Sequence, residues 1–476
     1  MSLEVVSQTG SEIDERGSRT TGQKGPSRRT ILRSIATLGA AAVPGGAALT
    51  YFRQRSEYVQ LYSTTVVMTG RESRTLLVKG SEHFAVPGTR IHREAADHRL
   101  LRAREARILE HCSSAIMESE WYGLYRDALL DVHVLSASLP APVAAWSPRW
   151  RYVWPRDASH VAVALARIGL VQESVRTLSF LARQQRLDGW FEARYLPNGS
   201  GVPDNRTKQL DGLGWFVWGV AEVGRALDGR GDDMVKQLDQ QTKTAVNRAV
   251  HAMLLATDTP SRLPSPSPDY WEVAEDRLTL GTAAPVLSGL QHGCLLLDKL
   301  GEPRLAHRAR RRAEQVAESV RQSFGTSGYR RYQRGGDYDS ALTFLLPPYA
   351  AAVDTVISGH LQAAQERMLR PAGGVAPGEG WKKDGISWTP ETALFAQAYA
   401  AIGDEGRASD LLRWLSGHRT AMGSFPEKVL WDGQPAAVAP LAWTAALVIL
   451  TIESLSSEAA RPNANSSTGE DVRAPG

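Results

Sequence analysis

Apolar positions recur with a helical period from about residue 118 and hold it to about residue 456. The periodic segments fall at 120–138, 157–170, 171–186, 210–228, 233–256, 279–300, 303–325, 339–346, 349–367, 390–402, 404–417 and 440–456. Gly169, Gly301, Gly325 and Gly403 punctuate several C-terminal ends, as helix termini prefer. Strand-like alternation is confined to Tyr58–Thr69 and Thr75–Lys79. The pattern predicts an all-α body over 118–456 and a short β-containing extension over 56–117.

The segments alternate in character. The third, fifth, seventh, ninth and eleventh, and less plainly the first, are charged and amphipathic. Arg308-Ala309-Arg310-Arg311-Arg312 in the seventh is the clearest run. The even-numbered segments are small and apolar, as in Ala283-Ala284-Pro285-Val286-Leu287. A helix apolar all round is buried, whereas an amphipathic one covers it. Six inner helices enclosed by six outer ones make an (α/α)6 toroid. Loops leading into the inner helices then converge at one end of the ring, where a pocket belongs.

Ser27-Arg28-Arg29-Thr30-Ile31-Leu32-Arg33 precedes a weakly apolar run, Ile35 to Tyr51, broken by Pro44-Gly45-Gly46. This resembles a twin-arginine signal, with Ile31 and Arg33 where Phe and Lys are usual. Residues 1–55 are therefore expected to engage the twin-arginine export machinery. The protein is secreted if cut near Ala47-Ala48, or membrane-anchored if uncut. No other stretch approaches the roughly 18 apolar residues of a spanning helix. Residues 457–476 are low in complexity and expected to be disordered.

A hydrophobic share of 42% excludes wholesale disorder, collagen and multi-span membrane proteins. The 55 basic and 51 acidic residues are interspersed, which argues against a nucleic-acid partner. Cys112 and Cys294 alone exclude a disulfide-stapled scaffold and a cysteine-rich zinc site, and leave their pairing open. His111, His160 and His292 lack metal-ligand spacing, so no metal or cofactor is expected.

The chemistry gathers before the even-numbered segments. Tyr152-Val153-Trp154-Pro155-Arg156-Asp157 precedes the second and Gln209-Leu210-Asp211-Gly212 the fourth. Asp269-Tyr270-Trp271-Glu272, then Glu275-Asp276, precede the sixth, and Asp337-Tyr338-Asp339 the eighth. Trp381-Lys382-Lys383-Asp384 and Trp388 precede the tenth. Pro426-Glu427-Lys428-Val429 and Trp431 precede the twelfth. Indoles stack on the C–H faces of pyranoses while carboxylates and arginines take hydroxyls, so this mixture indicates a sugar site. Trp190, after Asp188-Gly189, is a further candidate platform, whereas Trp215 and Trp218 read as core and Asp339 as an N-cap.

These motifs resemble glycoside hydrolase family 15, the glucoamylase and glucodextranase family, whose fold is an (α/α)6 barrel. The likeness spans roughly 118–456. Tyr152-Val153-Trp154-Pro155-Arg156-Asp157-Ala158 is similar to the family's Y-x-W-x-R-D-A motif, and implies that Arg156 and Asp157 hold hydroxyls of the innermost sugar. Gln209-Leu210-Asp211-Gly212 resembles its Q-x-D-G signature beside the pocket wall. Asp269-Tyr270-Trp271-Glu272 resembles D-x-W-E, which makes Glu272 the general acid. Pro426-Glu427 and Pro440-Leu441-Ala442-Trp443 resemble the terminal P-E…P-L-x-W pattern, which makes Glu427 the base. Tyr152, Trp154, Trp190, Asp211, Asp269, Trp271, Trp388 and Trp443 complete the expected substrate-binding set.

Hydrolysing a glycosidic bond with side chains alone takes two carboxyl groups flanking it. The acid must keep its proton near neutral pH, so Glu272 is expected against apolar surface, beside Tyr270 and Trp271. The base must be ionised and solvated, as a loop residue such as Glu427 is expected to be. Glu275 is the rival acid. An inverting enzyme places the two carboxyls about 6.5–9.5 Å apart. Where starch-degrading members carry a second acid after the first, this chain has Val273, which implies short α-glucosides rather than granular starch. The expected activity is exo-acting release of glucose from α-glucans or gluco-oligosaccharides. The alternatives are a trehalase or phosphorolytic relative, and a non-catalytic sugar-binding protein. A phosphorylase would place small and basic residues where Glu427 stands.

Overall fold

The segment Pro303–Ser323 forms one long helix that buries only Leu305, Ala306, Ala309, Ala313, Val316 and Val320. Those positions make a single stripe at helical spacing, and the arginines occupy the rest. Its partner Leu280–Lys299 is buried along nearly its whole length. The same contrast sorts the other helices of the computed structural model into two layers. The structure describes residues 59–459. The signal reading at 1–55 and nearly all of the 457–476 tail lie outside them.

The helices of two turns or more are α1 His98–Leu109, α2 Tyr122–Ser136, α3 Pro155–Arg167, α4 Val171–Gln184, α5 Asp211–Asp228, α6 Gln240–Ala256, α7 Leu280–Lys299, α8 Pro303–Ser323, α9 Leu361–Met368, α10 Thr389–Ala401, α11 Glu405–Gly417 and α12 Ala442–Ala459. A 3-10 helix, Ser340–Leu345, lies between α8 and α9. Each of α3, α5, α7, the 3-10 helix, α10 and α12 packs on the next, and α12 returns to α3. That closes an inner ring. Outside it, α2 covers α12, α4 covers α3, α6 covers α5, α8 covers α7, α9 covers the 3-10 helix and α11 covers α10. The fold is an (α/α)6 toroid. α7 is long and apolar enough to cross a membrane, but here it is an inner helix, 89% buried.

Several elements depart from the periodicity. The eighth segment is 3-10 rather than α, because Pro347-Pro348 follows it and supplies no amide donors to extend a helix. The ninth begins late. Residues 349–354 are not helical, Asp354 caps a single turn at Thr355–Ser358, and only Leu361–Met368 runs on as a helix. Asp239 likewise caps α6 and splits the fifth segment. The charged stretch before residue 110 is helix α1, which buries little beyond Leu101 and Glu105. Cys112 and Cys294 are both free and buried.

Two small sheets carry the rest. β1 Thr65–Met68 pairs antiparallel with β2 Arg74–Leu77, with Thr65 opposite Leu77. β3 Ser387–Trp388, β4 Lys428–Val429 and β5 Pro435–Ala436 form a three-stranded sheet in that order. The extension grips this second sheet. The amide of Tyr62 donates to the Ala437 carbonyl (2.7 Å), and the Ser63 hydroxyl donates to the Ala439 carbonyl (2.7 Å). Below them, Asp131 of α2 pairs with buried Arg90 at 2.8 Å and accepts from the Phe425 amide at 3.0 Å. The segment leading to Glu427 is thus fixed from two sides.

Candidate active site

Three inner helices begin around one cavity of about 260 Å³. α3 opens with Pro155, pre-set for a first helical turn, and presents Arg156 and Asp157. α10 opens with Thr389-Pro390-Glu391 and α12 with Ala442-Trp443. Arg156 Nη2 and Asp157 Oδ2 pair at 2.9 Å, and the guanidinium lies 4.4 Å over the Trp443 ring. Burial opposes the Arg156 charge, but Asp157, Glu272, Asp211 and Glu391 surround it and hold its pKa above the usual value. Burial pushes Asp157 upward, with Arg156 pulling against it and Glu272 pushing further. Nε and Nη1 of Arg156 have no protein partner, nor do the indole N–H groups of Trp154, Trp271, Trp388 and Trp443. These are buried donors along a cavity wall, a pattern suited to a polyhydroxylated ligand.

Glu272 sits on a tight turn. The Asp269 carboxylate accepts from the Trp271 amide (2.9 Å), and the Asp269 carbonyl accepts from the Glu272 amide (2.8 Å). Glu272 itself takes φ +55°, a left-handed conformation uncommon for a non-glycine residue and typical of functional sites. The Trp271 ring is clamped with Arg331 at 3.5 Å on one face and Trp381 edge-on at 4.7 Å. Gly378 makes room for it, since a Cβ there would lie 2.5 Å from Trp271 Cζ2. The apolar wall expected around Glu272 is therefore taken up elsewhere. Its carboxylate, about a quarter exposed, instead pairs with Arg206. The rival acid Glu275 is tied to Arg331 at 2.6 Å and accepts from the Tyr332 hydroxyl at 3.1 Å, outside the cavity lining.

Glu427 lies on another loop, just before β4. Its amide donates to the Val438 carbonyl (2.8 Å) and its carbonyl accepts from the Thr389 amide (3.1 Å). Oε1 accepts from Trp150 Nε1 at 3.2 Å, and Oε2 lies 3.2 Å from Lys428 Nζ. The side chain is only 12% exposed, so the Trp150 indole N–H and the Lys428 charge stand where open solvent was expected, the latter as an ion pair without a hydrogen bond. Strand pairing sets Trp388 of β3 opposite Lys428, whose Nζ lies 4.2 Å over the Trp388 ring.

The cavity brings together Trp154, Arg156, Asp157, Trp271, Glu272, Trp388, Glu427 and Trp443. Four expected residues stand outside its lining. Tyr152 lies beneath Arg194, and Trp190 beneath Lys208. Asp211 is buried and accepts from Trp215 Nε1 at 3.2 Å; burial lifts its carboxyl to about 7. Asp269 is committed to its own turn, to Thr279 Oγ1 (2.7 Å) and to Arg331 (3.1 Å). Conversely, Trp150, Arg194, Arg206 and Glu391 line the cavity without having been singled out. Trp150 was within reach, two residues before Tyr152. Glu391 carried no signal beyond an acid in the first turn of a helix.

No family model matches the chain. An uncharacterized glycosyl hydrolase of Methanocaldococcus jannaschii is 22% identical over 365 residues, covering 70% of this chain. The chain spans 55% of that relative's length. Among solved structures, a glycosidase in complex with glucose is 21% identical, with a TM-score of 0.59 over 74% of this chain and 98% of its own. A bacterial glucoamylase complexed with acarbose is 16% identical, with a TM-score of 0.59 over 76% of this chain and 60% of its own. Glucoamylase from Saccharomycopsis fibuligera is 11% identical, with a TM-score of 0.57 over 71% and 95%. At these identities the likeness establishes the shared fold.

Proposed function

We propose that this protein is an exported, exo-acting α-glucoside hydrolase that inverts the anomeric centre, with Glu272 as general acid and Glu427 as general base. One observation carries the reading: two carboxylates from different loops line a single cavity together with the Arg156–Asp157 pair and five tryptophans. In an inverting hydrolysis the acid protonates the departing oxygen as the base takes a proton from water attacking the opposite face. Trp150 and Lys428 hold the Glu427 carboxylate in place to accept that proton. Glu272 must leave Arg206 to deliver its own, so substrate entering the cavity has to displace that pairing. A cavity of about 260 Å³, at the small end for ligand sites, suits one terminal sugar rather than a threaded chain. The glucose and acarbose complexes of structures sharing the fold support a gluco-configured substrate.

The test is product release from maltose, isomaltose, panose, dextran and trehalose, with the anomer followed by NMR. The expected result is β-glucose from at least one substrate, and a loss of about 10³-fold or more in Glu272→Gln and in Glu427→Gln. An α-anomer refutes inversion, and trehalose as the sole substrate makes this a trehalase. Variants as fast as the wild type refute the assignment of the carboxylates. Produced with its own N-terminus, the activity is expected outside the cytoplasm, and cytoplasmic retention removes the export part alone.

A further inference from the structure

Glu391 is one of four carboxyl groups lining the cavity, with Asp157, Glu272 and Glu427, and neither catalytic role uses it. It lies in the first turn of α10, only 3% exposed, and its Oε2 has no partner in the protein. Around it stand Arg156 from α3, Glu427 from the loop before β4 and Asp339 ahead of the 3-10 helix. Arg156 is already paired with Asp157, and Asp339 with Arg331 at 2.7 Å. Burial pushes the Glu391 carboxyl up to about 8 against a hydrogen bond from its own backbone amide and the pull of Arg156, with Glu427 and Asp339 pushing the same way as burial. Within that turn the carboxyl accepts from Glu391's own backbone amide. The N-cap of α10 is Trp388, with no side-chain cap bond, and Oε2 of this cavity-lining residue stays without a protein partner. A buried polar atom without a protein partner calls for water or a ligand to satisfy it.

We propose that Glu391 is a specificity-determining residue of the innermost subsite, where its Oε2 hydrogen-bonds one free hydroxyl of the terminal pyranose. Arg156, with Nε and Nη1 unpartnered, offers donors to the same ring, so the two residues read adjacent hydroxyls. A neutral Glu391 donates its proton to the hydroxyl oxygen, which selects sugars whose hydroxyl at that carbon is unsubstituted. The inference rests on the sugar-site reading but not on hydrolysis.

The experiment is binding, titrated by NMR, of glucose and its 2-, 3-, 4- and 6-deoxy analogues to the full chain. Wild type, Glu391→Gln and Glu391→Met are compared, with thermal melts to show that the variants are folded. The Met variant is expected to bind glucose about 10- to 100-fold more weakly, but to match the wild type on one deoxy sugar. The Gln variant, which keeps a donor, should fall between. Equal weakening of every sugar by the Met variant, or none, overturns the proposal, as does a wild type that binds no glucose. A wild type that shows the selective loss yet cleaves no α-glucoside upholds this role for Glu391 and refutes the hydrolase.

Discussion

The Glu427 carboxylate meets two partners of different kinds, an ammonium that pairs with it by charge and an indole that donates a hydrogen bond to it. Lys428 Nζ lies near Oε2 and over the Trp388 ring at the end of a four-carbon stem, while Trp150 Nε1 donates to Oε1 from a rigid ring. The indole therefore sets the angle at which the base faces an attacking water. A hydrogen bond to a charged group contributes about 1.5–3 kcal/mol. If it is made more fully in the transition state than on binding, its loss appears in kcat. Trp150→Phe keeps the aromatic surface and removes the N–H. Its kcat is expected to fall about 10- to 100-fold with KM nearly unchanged, by steady-state kinetics on whichever glucoside proves to be the substrate. A raised KM at constant kcat would make Trp150 a sugar platform instead.

At the scale of elements, the inner ring depends on close approach between α5 and α7. A Cβ on Gly214 would lie 1.9 Å from the Pro285 carbonyl oxygen, and one on Gly289 would lie 2.7 Å from Gly214 Cα. Gly214→Ala must therefore push two inner helices apart, and overpacking of this kind costs typically 1–3 kcal/mol. Urea melts should show a lowered midpoint at an unchanged slope. Gly417→Ala, at the end of α11 with nothing within 4 Å, should be neutral or slightly stabilising. Equal tolerance of both would mean that the inner helices are not packed this tightly. The two layers were legible in the sequence because burial imposes the helical period, as α7 and α8 show side by side. The two-residue strands β3 to β5 were not, since they are too short to carry an alternation. Trp154, Arg156, Asp157, Trp388 and Trp443 were found at helix starts, and Trp271, Glu272 and Glu427 in the loops that lead to them. The Arg206–Glu272 pair spans 66 residues of chain. Asp211 and Asp269 match a motif yet are spent on Trp215 and Arg331, a distinction that only packing makes.

For the molecule as a whole, the buried ionisable groups set a direction for stability against pH. Burial lifts Glu105 to about 7, Asp211 to about 7 and Glu391 to about 8, while it lowers His133 to about 4 and His160 to about 3. Each raised carboxyl keeps in the folded state a proton that the unfolded chain gives up near pH 4. Stability from these groups is therefore lost as pH climbs from that value to the folded pKa. The two histidines act the other way, because the unfolded chain takes protons below about 6.5 that the folded one refuses. Above pH 6.5 the histidines fall silent and the carboxyls continue. Between pH 6.5 and 8, Glu391 titrates to its midpoint and the other two nearly finish, a loss of roughly 3 kcal/mol from these three groups at about 1.4 kcal/mol per group and unit. The melting temperature should then drop by a few degrees from pH 6.5 to pH 8, and the drop should shrink in Glu391→Gln, which has no proton to lose. Calorimetric scans of both proteins at the two pH values decide it. A wild type whose melting point holds or rises over that interval would mean that Glu391 is ionised in the folded protein, with a counter-charge other than Arg156 beside it.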